Sequence, residues 1–147
     1  MPSPKRPRSP SPKLRAKSPS EIAPGVFVGG WNDAIRFEGV RFCVLDDAPD
    51  DMPPATHVPI YVEDGDRPNI ANLDRLAHQM AVARAKGEPV LVFCGHGVRR
   101  SPLGGAWYLH RSEGLSLDQA YDRVRAVRPS IEAAREWIGN TADLERA

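Results

Sequence analysis

Four apolar residues in a row, Val90-Leu91-Val92-Phe93, stand directly before Cys94-Gly95-His96-Gly97-Val98-Arg99-Arg100-Ser101-Pro102. A run with no polar alternation reads as a short strand covered on both faces, the kind found inside a parallel sheet. After Pro102 the apolar residues recur at helical spacing. Strand, tight loop and helix therefore follow one another, and the rest of the chain must supply the layers that cover this strand.

A loop between a strand end and a helix start can aim several backbone N–H groups at one point, with the positive end of the helix dipole behind them. Gly95 and Gly97 permit the backbone angles such a concavity needs. Ser101 and Pro102 suit the cap and first turn of the helix. Arg100 offers a planar fork of donors matched to two phosphate oxygens. Cys94 lies at the base, where these positive groups favour thiolate over thiol. A nucleophilic sulfur beneath a site shaped for a tetrahedral oxyanion points to attack on phosphorus. Gly95, His96, Gly97, Val98, Arg99 and Arg100 are the residues expected to surround the phosphate. The plainer alternative is a free cysteine in a turn with a surface arginine; the strand before it, the glycines within it and the helix start after it argue against that.

The chain before the loop reads as alternating strands and short helices. Pro24-Gly25 makes a turn, Val26 to Val28 a short strand, and residues 31–38 a helix capped by Asn32 or Asp33 and stopped by Gly39. Residues 41–45 and 56–62 read as two more strands, with Pro59 placing the second at an edge or a break. From Asn69 or Ile70 to Lys86, the positions Ile70, Leu73, Leu76, Ala77, Met80 and Ala83 form one face of a helix that Gly87 ends. After the loop come a helix carrying Leu103, Ala106, Trp107, Leu109 and His110, ended by Gly114, and a second capped by Ser116. Leu117, Ala120, Tyr121, Val124 and Val127 form the inner face of that second helix, and Pro129 breaks it. A last helix is expected over 131–144, with Ile131, Ala134, Trp137 and Ile138 inward. Trp31, Trp107 and Trp137 read as core aromatics. Strands early and helices late predict an α/β domain: a central, mostly parallel sheet flanked by helices, with its site at the carboxyl end of a strand.

Residues 1–20 are different in kind. They hold Lys5, Arg6, Arg8, Lys13, Arg15 and Lys17, no acidic residue, and serines 3, 9, 11 and 18 each followed by proline. Such a segment cannot bury enough surface to order itself, so it is expected to be a disordered basic tail, with 21–147 as the folded domain. The chain as a whole carries 20 basic and 19 acidic residues, so residues 21–147 hold 14 and 19, a net of −5. That body is not a nucleic-acid surface by charge, which leaves the tail as the segment suited to a polyanion. No apolar run is long enough to span a bilayer, and the N-terminus has no signal-peptide core. Two cysteines make no disulfide framework, so a cytoplasmic setting is expected, or a nuclear one in a eukaryote. His57, His78, His96 and His110 are scattered, with no metal-ligand spacing.

Cys94, five residues, Arg100 and Ser101 resemble the signature of the cysteine-dependent protein phosphatases, and the inner Gly97 with the Arg-Ser pair resembles the dual-specificity branch. Ile22-Ala23-Pro24-Gly25-Val26-Phe27-Val28-Gly29 resembles the opening of that same family, so the likeness runs from about Glu21 to at least Ile131. It implies a phosphatase-type fold and a phosphocysteine intermediate on Cys94. Arg100 would hold the phosphoryl oxygens, Ser101 would hydrogen-bond the departing thiolate, and no metal or organic cofactor would be needed. A thiolate attacking a phosphate ester also needs an acid for the leaving oxygen, and residues 63–68 offer Asp64 and Asp66. The family's acid lies about thirty residues before the cysteine, which favours Asp64; Asp66 then reads as a turn or capping aspartate.

One departure stands out. The family carries histidine immediately before the cysteine, and this chain has Phe93, which predicts a less acidic thiol and slower turnover. Cys43 reads as a small buried hydrophobe rather than a redox partner of Cys94. His96 reads as a solvated loop residue and Arg99 as positive charge at the rim. The expected substrate is a phosphoprotein or phosphopeptide, phosphotyrosine first, then phosphoserine or phosphothreonine. The same chemistry would serve a phosphoinositide or an RNA 5′-phosphate, although the loop lacks the lysines of lipid phosphatases. Sulfur transfer by a rhodanese-like loop is opposed by the Arg-Ser ending and the upstream acid. From another class, a phosphoprotein-binding module without turnover draws its support from Phe93 alone. Oligomeric state has no signature in the sequence.

Overall fold

The structure, a computed structural model, describes residues 18–61 and 69–134. Five strands form one sheet in the order β1-β2-β5-β3-β4. They are β1 (Ser20–Ala23), β2 (Val26–Gly29), β3 (Val40–Cys43), β4 (Thr56–His57) and β5 (Val90–Phe93). β1 runs antiparallel to β2, and all the other pairs are parallel. The expected mostly parallel sheet flanked by helices is therefore what the chain forms. β5 lies at its centre, with Val90, Leu91, Val92 and Phe93 all fully buried.

The alternation of side chains across β5 divides the core in two. Val90, Val92 and then Cys94 face the larger layer, which is covered by α2 (Asn69–Ala85), α3 (Arg100–Glu113) and α4 (Leu117–Val127). Leu91 and Phe93 face a smaller layer with Ala34 and Cys43, covered by α1 (Trp31–Arg36) and by residues 45–55. α3 crosses the sheet closely because its second turn carries Gly104 and Gly105. A Cβ on Gly105 would stand 2.6 Å from a methyl of Val28, and one on Gly104 2.9 Å from a methyl of Leu76. Two glycines cost a helix about 1 kcal/mol each relative to alanine; here they bring the helix that follows the loop down onto β2 and β5. Trp107, buried on α3, donates from Nε1 to Asp74 of α2 at 2.8 Å and so fixes the two helices to one another.

Several local expectations are corrected. A strand the sequence did not suggest, β1, pairs Ser20 with Val28. α1 ends at Arg36 and its cap is Gly30, whose N–H donates to the Asp33 carboxylate at 2.9 Å; Asn32 and Asp33 lie inside the helix. β4 is two residues long and is the edge strand, although Val58 and Ile60 still donate their N–H groups to Cys43 and Val44 and are fully buried. Ile70 and Val127 are exposed, each at a helix end where the inner face turns away. After Val127 the chain swings so that Arg128 takes the buried place. Residues 131–134 are not helical. Trp137, Ile138 and the rest of the expected last helix lie outside the described residues, as do residues 1–17 of the tail. Trp31 is half-buried and lies edge-on to Phe93, with ring centroids 6.1 Å apart, while Trp107 is fully buried.

Candidate active site

Cys94 leaves β5 and turns its sulfur under the loop that follows, where it is 4% exposed. The N–H groups of Gly97 and Ser101 donate to Sγ at 3.3 and 3.4 Å. Ser101 Oγ stands 3.4 Å from Sγ and gives its own proton to the Gly29 carbonyl at 2.9 Å. A hydroxyl has one proton to give, so Ser101 must turn before it can donate to the sulfur. Ser101 is not the helix cap: α3 starts at Arg100, Arg99 is the cap residue, and Ser101 sits in the first turn with its side chain wholly buried.

The loop is built by its carbonyls. Gly95 O accepts from Trp31 N–H at 3.0 Å, His96 O from Arg128 Nη2 at 3.4 Å, Gly97 O from Arg128 Nε at 2.8 Å, and Val98 O from Glu132 N–H at 2.8 Å. Four successive carbonyls are thus held from outside. In a trans peptide the N–H points opposite to the C=O, and no peptide bond here is cis. The N–H groups of His96, Gly97, Val98 and Arg99 are therefore turned inward, and the Gly97–Sγ contact shows this directly. Gly97 holds φ +71°, and a Cβ there would run into the Arg128 guanidinium and the Gly29 carbonyl. The sequence expectation that glycine is required at this place has that physical cause. The result is a concave row of donors, the arrangement that binds oxyanions.

Arg100 borders this concavity. Its Nε donates to Ile60 O at 2.9 Å, and its Nη2 meets Asp46 Oδ1 at 2.5 Å. The guanidinium is thereby set between β5, the end of the β4 segment and the loop after β3. Asp64 lies outside the described residues. The segment that leads toward it is held firmly: Asn69 accepts from Tyr61 N–H and donates to Tyr61 O, both at 2.8 Å, and Asn72 donates to Pro59 O at 2.8 Å. His96 and Gly95 are exposed, Val98 and Arg99 half-buried, and Arg99 lies 3.8 Å from Glu132. Phe93 points away from the loop into the smaller layer, fully buried. Cys43 is also in that layer, on the opposite side of the sheet from Cys94, and both cysteines are free. Burial pushes the Cys43 thiol pKa up, with the Leu45 backbone opposing.

Three residues of this site carry no motif of their own. Asp46 lies in the loop after β3 and meets Arg100. Arg128 directly follows α4 and is 1% exposed. Asp33 looked like a cap; it is buried, holds Gly30 N–H, and its pKa is raised by burial, with Gly30, Arg128 and Arg36 opposing. The Arg-Pro that ends α4 was the one available signal, since an arginine just before a helix-breaking proline is free to turn inward. Among the described residues no group of three or more His, Cys, Asp or Glu side chains is placed to hold a metal ion, and no helix is long and apolar enough to cross a membrane.

Comparison with known proteins agrees with this geometry. The family model for the dual specificity phosphatase catalytic domain matches residues 49–147. Rat dual specificity protein phosphatase 12 is 27% identical over 86% of this chain, which spans 42% of the rat protein's length. Human dual specificity phosphatase 28 is 31% identical over 76% of this chain and 68% of its own. The crystal structure of human DUSP28 superposes with a TM-score of 0.75 at 27% identity, covering 94% of this chain and 95% of that one.

Proposed function

This chain belongs to the dual specificity phosphatase family, and on that premise we propose that it hydrolyses phosphate monoesters on proteins, phosphotyrosine first, through a phosphocysteine intermediate. The observation that carries this is the loop itself: a sulfur bonded by two backbone N–H groups beneath a row of inward donors. In the first step the Cys94 thiolate attacks phosphorus. The S–P bond forms as the P–O bond to the substrate breaks. Charge on the equatorial oxygens is met by the loop N–H groups, already turned inward, and by Arg100. The leaving oxygen takes a proton from Asp64. In the second step water attacks the phosphocysteine, Asp64 takes the proton, and the thiolate leaves with Ser101 turned to donate to it.

The test is phosphate release from an aryl phosphate and a phosphotyrosine peptide between about pH 5 and 8. Cys94→Ser should lower turnover by at least about a thousandfold, and a metal chelator should change nothing. Asp64→Asn should lower kcat by about a hundredfold and remove the limb of the pH profile that reports the acid, while Asp66→Asn should not. Tight phosphopeptide binding with no release at any pH would replace this function by the binding module.

A further inference from the structure

A row of N–H groups can face inward only while the matching carbonyls are satisfied elsewhere. For two of the four loop carbonyls, those of His96 and Gly97, the partner is one side chain, Arg128. The other edge of the same guanidinium donates to Ser18 O at 2.5 Å and Ser20 Oγ at 3.0 Å, at the start of β1. The fork thus ties the phosphate loop to the strand at which the described fold begins. Burial pulls its pKa down, and the negative charges of Asp33 and Cys94 push it back up. Phe93 meanwhile offers no hydrogen bond on the other side of the sheet; it is packed against Trp31.

We propose that Arg128 is a positioning residue of this site: its fork fixes the His96 and Gly97 peptides with their N–H groups inward. The inference rests on the reading of the loop as the phosphate site. The fork sets geometry, which only a planar group with several donors supplies.

Arg128→Lys and Arg128→Met test this. The readout is protection of Cys94 by inorganic phosphate against alkylation by iodoacetate at one fixed pH, followed by mass spectrometry. Circular dichroism reports whether each variant is folded. Both variants should raise the phosphate concentration needed for protection by at least about tenfold. A folded Arg128→Met with native protection would overturn the proposal and leave Arg128 a packing residue. If Arg128→Met does not fold, Arg128→Lys decides: native protection by phosphate overturns the role of the fork. The readout needs no turnover. A protein silent on every phosphoester but weakened in phosphate protection by these variants would refute the proposed function and keep the role of Arg128.

Discussion

β3 and β5 are neighbouring parallel strands in register, Cys43 beside Phe93, and each delivers a cysteine to the same end of the sheet. The outcomes differ completely. Cys43 ends β3 inside the smaller layer, against Ala34, Leu91 and Phe93, and burial holds it as a thiol. Cys94 lies one step beyond Phe93, so alternation sends it to the other face, under a loop whose N–H groups have been turned toward it. Both sulfurs are almost wholly buried. What distinguishes the two sulfurs is therefore not exposure but which backbone atoms face each.

The sharpest way to break this comparison is chemical. At neutral pH iodoacetate should modify Cys94 at least about a hundredfold faster than Cys43, and Cys94→Ser should be unreactive until it is unfolded. Comparable rates at the two sites would end the distinction. Next in size is Phe93→His, which places an imidazole in the smaller layer. It should lower stability by roughly 1–3 kcal/mol in chemical denaturation, because that layer offers mainly apolar neighbours. An unchanged midpoint would mean that the layer can satisfy it. Asp46→Asn follows. It weakens a contact from the loop after β3 to Arg100, so KM for an aryl phosphate should fall as the competing anion goes, and kcat should fall several-fold as the guanidinium loses its set. No change in either would show that Asp46 is a bystander.

The smallest effect concerns Asp33, below the loop. Its pKa is raised in the fold, so its contribution is fully present below the unfolded value of about 3.9 and is lost as pH rises through the folded value. The stability of the native protein relative to Asp33→Asn should therefore decline from about pH 4 to pH 7. A constant difference would show that the carboxylate is fully compensated by Gly30 and Arg128.

The parts of this site that sit next to each other in the chain were legible there. The apolar run, the cysteine, Gly97, Arg100 and Ser101 are local, and each constrains the backbone of its neighbours. What holds the loop open comes from far along the chain: Trp31, Arg128 and Glu132 meet it across dozens of residues, and none belongs to a periodic pattern. Helical faces were right in the middle and wrong at the ends, as Ile70 and Val127 show, because a face predicted from spacing assumes that its neighbour is as long as it is. β1 escaped notice because a four-residue strand with Pro24-Gly25 after it looks like the turn alone. Gly30 replaced Asn32 and Asp33 as cap because a carboxylate three residues into the helix does the same work.

The strand order has a consequence for how the molecule is made. β5 enters between β2 and β3, and Arg128 ties the loop to Ser20 across 108 positions of sequence. Contacts so distant are slow to close, and they cannot close during synthesis until the chain through Arg128 has emerged. A ribosome-bound chain that stops short of Arg128 can hold the signature from Cys94 to Ser101 in full and still lack what keeps His96 and Gly97 in place.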